Sequence, residues 1–158
     1  MYFSEPTTTL TDLLLTAAAL YFAAVLFKAA RPKSIPLRLW GIGFTAAAAA
    51  ALVGTIYHGF RPELGDAAIA FMRNFVVFAA GTAGGLMISG VIAAPHPFST
   101  RSTNRLRAGL AVSLVGFAVQ QTSLEIGAGF NHNDIFHCLQ LLAMYFFFRA
   151  ARWLEDAG

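Results

Sequence analysis

The sequence predicts an all-α protein, an integral membrane bundle of five transmembrane helices. Three observations carry that prediction: sparse charge, five apolar segments of bilayer length, and the sorting of basic and acidic residues to opposite ends of those segments. Of the 158 residues, 57% are hydrophobic and 12% charged, and the mean hydropathy is +0.61. A soluble domain carries about 25% charged residues. This chain therefore lacks the polar coat that water requires, and lipid is the expected solvent. No long polar stretch is left over, so residues 1–158 read as a single transmembrane domain.

The first segment runs from about Thr8 to Ala30, between a Thr-rich cap and Arg31-Pro32. The second runs from about Leu37 to Tyr57, after Pro36, and the third from about Asp66 to Ala93, before Pro95. The fourth covers about Leu106 to Leu124 and the fifth about Asn133 to Trp153. Each is close to the ~20 residues that cross a ~30 Å hydrocarbon core. The connections are short, which makes consecutive helices antiparallel neighbours.

Charge sets the orientation. Lys28, Arg31, Lys33 and Arg38 surround the first connection, Arg101, Arg105 and Arg107 the third, and Arg149 and Arg152 the C-terminal end. Glu5, Asp12, Glu63, Asp66, Glu125 and Asp134 fall at the other ends. The positive-inside rule then places the N-terminus outside and the C-terminus in the cytoplasm, as five crossings require. A bacterial inner membrane is the expected location. The net charge of +3 sits in these short clusters rather than on one binding face, so nucleic acid is not an expected partner. The single cysteine, Cys138, excludes an internal disulfide. The N-terminal stretch has no basic region and does not read as a cleaved signal peptide.

Small residues mark the expected packing surfaces: the run Ala46–Ala51 in the second segment, and Gly81 with Gly85 as a small-xxx-small pair in the third. Arg73, about two turns inside the third segment, is expected to face the bundle and meet an acid such as Asp12 or Glu125, or an anionic headgroup. Gln120 and Gln121 are expected to join helices by hydrogen bonds.

Three of the four histidines lie at the acidic ends. His58 closes the second segment, and His132 and His137 open the fifth in Asn131-His132-Asn133-Asp134-Ile135-Phe136-His137. The fourth, His96, belongs to the basic connection before Pro97. On a helix Asp134 and His137 share a face, and Gln140 continues it one turn deeper. His132 joins that face only if the helix begins at about Asn133 and His132 lies on the incoming loop. Three imidazoles from two segments can ligate a catalytic zinc and leave a fourth position for water. Asp134, Asp12 and Asp66 are the carboxylates placed to orient an imidazole or take a proton. The bland alternative is that the acids answer helix dipoles and the histidines meet headgroups and water.

Tyr57-His58 after a small-residue helix, with Phe136-His137 near the start of the last one, resembles the CREST superfamily, which includes alkaline ceramidases and the progestin and adipoQ receptors. The resemblance implies a membrane hydrolase with zinc held by His58, His132 and His137, acting on a lipid amide or ester. It departs from the family pattern in four places. The family serine falls on Gly54, the last-helix histidines are five rather than four apart, the family aspartate has a loose counterpart in Asp66, and five segments stand in place of seven helices.

Three functions remain open on the sequence. The first is that zinc hydrolase. The second is a haem b electron-transfer protein with His58 and His137 as axial ligands. The third is a non-enzymatic membrane subunit or small transporter, with membrane lipids, a larger membrane complex or further copies of the chain as partners.

Overall fold

The computed structural model describes residues 4–32, 34–94, 98–122, 124–126 and 129–153. His96 and Lys33 lie outside the described residues. Five helices follow one another: α1 (Pro6–Ala29), α2 (Ile35–Phe60), α3 (Asp66–Ile92), α4 (Thr100–Gln120) and α5 (His132–Ala151).

Proline and side-chain caps set the boundaries. Pro6 and Pro36 stand in the first turns of α1 and α2, where the missing N–H costs no intrahelical bond. A single 3-10 turn, Arg61–Glu63, carries the chain from α2 towards α3. The fourth helix starts six residues before the expected Leu106, because the Ser99 hydroxyl accepts the Ser102 N–H at 3.2 Å and caps it. Its first two turns therefore carry Arg101, Arg105 and Arg107 on helix rather than on loop. At α5, Asn131 Oδ1 accepts the Asn133 N–H at 2.8 Å and Asp134 Oδ2 accepts the Asn131 N–H at 2.7 Å. This capping box makes Asn131 the cap and His132 the first helical residue.

α1, α2 and α3 are long and apolar enough to cross a membrane; among the described residues, α4 and α5 do not reach that mark. The chain is thus a multi-pass helical membrane protein with three established candidate spans. The helices form a row in the order α3, α2, α1, α5, α4, with each packed mainly on its neighbours in the row. One end of the row gathers the starts of α1 and α5 and the end of α2. There Ser4 N–H donates to Gly59 O at 3.1 Å. The other end gathers the start of α4 and the end of α5, where Arg105 donates to Arg149 O at 3.0 Å. Among the described residues, acids and histidines therefore gather at one end and most of the arginines at the other, as the charge pattern anticipated.

The apolar core lies towards the arginine end. Phe22 of α1 stacks on Phe148 of α5 at 4.5 Å between ring centroids and meets Phe44 of α2 edge-on at 5.5 Å. Leu26, Leu37, Trp40 and Ala151 close the cluster. In lipid such contacts act through packing rather than water exclusion, so shape decides. The alanine run of α2 is a packing surface, none of it being exposed.

α3 uses other small residues than the sequence suggested. Ala79, Ala83 and Gly90 face α2, whereas Gly81 and Gly85 are exposed and nothing lies within 4 Å of where a Cβ would stand. Residues 81 and 83 are about 200° apart on a helix, so one pair excludes the other from the same contact. Arg73 is exposed too. Among the described residues α3 packs mainly on α2, so that guanidinium is turned away from the helix row, and Asp12 meets α5 instead.

A Cβ on Gly90 would stand 2.5 Å from Trp40 Cδ1 and 3.2 Å from Pro36 O. Gly90→Ala is expected to destabilise the protein by about 1–3 kcal/mol through overpacking. Gly84→Ala, with nothing within 4 Å, should cost less than about 0.5 kcal/mol. Unfolding midpoints of the two variants in detergent check the contrast.

Candidate functional site: a buried histidine–carboxylate cluster

At the acidic end, α1, α2 and α5 bring five ionisable side chains together. Glu5 stands at the cap of α1 and Asp12 seven residues later, roughly 10 Å deeper at 1.5 Å per residue. His58 lies in the last turn of α2. Asp134 and His137 lie one turn apart on the inner face of α5, and both are buried, as their spacing predicted.

Their contacts form an ordered series. His58 Nδ1 meets Glu5 Oε2 at 2.9 Å. The His58 and His137 rings stand edge to face, 6.2 Å between centroids. His137 Nε2 meets Asp12 Oδ1 at 3.3 Å, and His137 Nδ1 meets Thr11 Oγ1 at 2.9 Å. Side-chain exposure falls along the same path, from 28% at Glu5 through 17% at His58 and 9% at His137 to 5% at Asp12. Asp134 is fully buried and lies near enough to interact electrostatically with both Asp12 and His137.

Hydrogen-bond accounting locates a proton. Thr11 Oγ1 lies 2.9 Å from both Thr8 O and His137 Nδ1; while its hydroxyl proton is given to Thr8, the oxygen accepts from His137 and Nδ1 carries the ring hydrogen. Nε2 and Asp12 Oδ1 then face one another as two acceptors unless one proton lies between them. That proton belongs either to the imidazole, giving an ion pair, or to the carboxyl, giving a neutral pair. The other oxygen, Asp12 Oδ2, is buried without a partner among the described residues, as is Asp134 Oδ1. Glycine at position 54 is what admits Asp12: a Cβ there would stand 2.8 Å from Oδ2.

The sequence-selected residues separate into two sets. His58, His137, Asp12 and Asp134 come together; His132 and Asp66 do not join them. The capping box starts α5 at His132, and five residues of helix turn it about 140° from His137. Its Nδ1 is buried without a hydrogen-bond partner among the described residues. Asp66 is exposed at the start of α3, and α1 and α5 lie beyond α2. Gln140 turns to α4, where Ser113 reaches it at 3.5 Å. Gln120 donates to Asn133 Oδ1 at 2.7 Å and joins α4 to α5, while Gln121 is exposed. Among the described residues, no group of three or more His, Cys, Asp or Glu side chains is arranged to hold a metal ion. In this arrangement His132 turns away from His58 and His137, while His137 meets Thr11 through Nδ1 and Asp12 through Nε2, so the three imidazoles are not gathered as a ligand set. Sequence reading missed Glu5 and Thr11 as members of the cluster. Glu5 is the N-cap residue of α1 and Thr11 lies inside the helix beside Asp12, and nothing local distinguishes them.

Helices of this kind, carrying ionisable groups within apolar spans, define a multi-pass membrane protein with an internal polar site. The chain belongs to the family of unknown function DUF6962, whose model matches residues 7–93 and 67–156. No curated protein and no solved structure matches it. The likeness to CREST proteins thus rests on the two histidine-bearing stretches alone.

Removing one member of the Asp12–His137 pair strands the other in a buried site, at a cost of about 3–5 kcal/mol. Asp12→Ala and His137→Ala are each expected to lose that much. The double variant should lose well under the sum, with a coupling above about 1 kcal/mol. Unfolding free energies of the four proteins in mixed micelles measure the coupling; additive losses would show that the contact carries none.

Proposed function

We propose that the protein is a small, non-enzymatic, proton-coupled transporter or transporter subunit, with Asp12 and His137 as its proton-binding pair. The observation that carries this reading is the 3.3 Å facing of buried His137 Nε2 and Asp12 Oδ1, a pair in which one proton can rest on either partner. Ionisable groups at this depth in membrane helices commonly mark ion pathways and proton relays. Glu5 and His58, the more exposed members, supply the route from the surface. Beyond Asp12, Leu15, Ala19 and Phe22 are buried along α1 and seal the route from the arginine end, so the proton waits at an occluded site rather than leaking through.

The orientation that accompanies this reading has the N-terminus and the cluster outside and the arginine end in the cytoplasm of a bacterial cell. α4 and α5 complete the five crossings by shielding their polar turns against one another. A larger membrane complex, or further copies of the chain, would cover the outer faces of α3 and α4.

Infrared difference spectra of the protein in lipid, recorded across a pH step, test the proposal. A carboxylic C=O band that is lost in Asp12→Asn and displaced in His137→Gln is expected. A wild-type spectrum with no band assignable to Asp12 between pH 4 and pH 10, roughly the range over which perturbed carboxyls titrate, would overturn it. Elemental analysis separates the competing hydrolase reading. Stoichiometric zinc in the purified protein, lost on combining His58→Ala with His137→Ala, would restore lipid amide or ester hydrolysis as the better account.

A further inference from the structure

The opposite end of the helix row holds a second, separate feature. The start of α4 and the end of α5 enclose a cavity of about 410 Å³, lined on one side by Arg101, Arg105, Arg149 and Arg152 and on another by Trp153. No acid lines it among the described residues. Arg105 is fixed by its bond to Arg149 O, and Trp153 is fixed by stacking on Phe98 at 5.3 Å. Ser102, at the first turn of α4, is buried beneath and accepts the Ser99 hydroxyl at 3.2 Å.

The guanidinium groups of Arg101, Arg105 and Arg149 share one concavity, and the N-terminal dipole of α4 adds positive potential at the same place. Topology alone asks for basic residues on this side of a membrane. It does not ask that two helices converge them on a cavity with an aromatic wall. Guanidinium groups are matched in shape and charge to phosphate oxygens and bind them with paired N–H donors. Tryptophan is suited to the boundary between headgroup and acyl chain.

We propose that this cavity binds an anionic phosphate group, with Arg101, Arg105 and Arg149 as its donors. The phosphate is carried either by a membrane lipid or by a small soluble molecule. Phe148, whose ring also lines the cavity, and Trp153 offer apolar surface to whatever carries it. The site lies away from the histidine cluster and stands whether or not that cluster binds protons.

The full-length protein in nanodiscs and in neutral detergent supplies the test. With a lipid source, phosphatidylglycerol nanodiscs raise the unfolding midpoint above that in phosphatidylcholine, native mass spectrometry finds retained phosphatidylglycerol, and inorganic phosphate in detergent does nothing. With a soluble source, millimolar inorganic phosphate raises the midpoint in detergent and the two lipids are equivalent. In either case Arg101→Gln combined with Arg149→Gln abolishes the shift. Both side chains are exposed, so the variant keeps its fold. Arg38→Gln, an exposed basic position outside the cavity, keeps the full response. No response to either ligand, or an equal loss in Arg38→Gln, overturns the assignment.

Discussion

The contact between His137 of α5 and Asp12 of α1 is the constraint on which the arrangement of helices turns. Three helices, α3, α2 and α1, form one sheet of extensively packed neighbours, and α4 with α5 form another. The seam between the two sets is narrower. At one end it is closed by aromatic stacking of Phe22 on Phe148, at the other by the 3.3 Å contact of two ionisable groups. Apolar packing tolerates small rotations of a helix; an imidazole held between Thr11 and Asp12 does not. Thr11 and Asp12, adjacent on α1, grip the two sides of one ring and so fix the rotation of α5 relative to α1.

That grip has a cost that the neighbouring residues are shaped to meet. A carboxylate at this depth is tolerated when it is paired or hydrogen-bonded, and only one of Asp12's oxygens is. Gly54 yields the space that the second oxygen occupies, and Thr16 spends its own hydroxyl on the Asp12 backbone carbonyl at 2.9 Å rather than on the carboxylate. Stability alone would favour a partner for Oδ2. Leaving it free is consistent with a group that exchanges a proton. The arginine end follows the opposite logic: like charges are gathered around an open concavity, where water or an anion can reach them.

Much of the fold was legible because apolar length and proline spacing act locally. All five helices fall within a few residues of their expected limits, apart from the start of α4, where a serine cap lengthens the helix into a polar stretch that hydropathy reads as loop. The sorting of charges to two ends was legible for the same reason, since it needs only the count of segments. The partners of Arg73, Gly81 and Gly85 were not legible. Which face of α3 meets α2 depends on the row arrangement, and periodicity cannot distinguish a face turned to a helix from one turned to lipid.

By itself the sequence determined a helical membrane chain with histidines and acids at one end and arginines at the other, because composition and segment length decide solvent and ends decide charge. The tertiary structure alone decided which of those groups meet. His132 was lost from the cluster by a capping box that starts α5 one residue early, and Glu5 and Thr11 were gained by the rotation of α1. A single residue of helix phase, worth about 100°, separates a three-histidine metal site from the imidazole–carboxylate series observed, and only packed helices fix that phase.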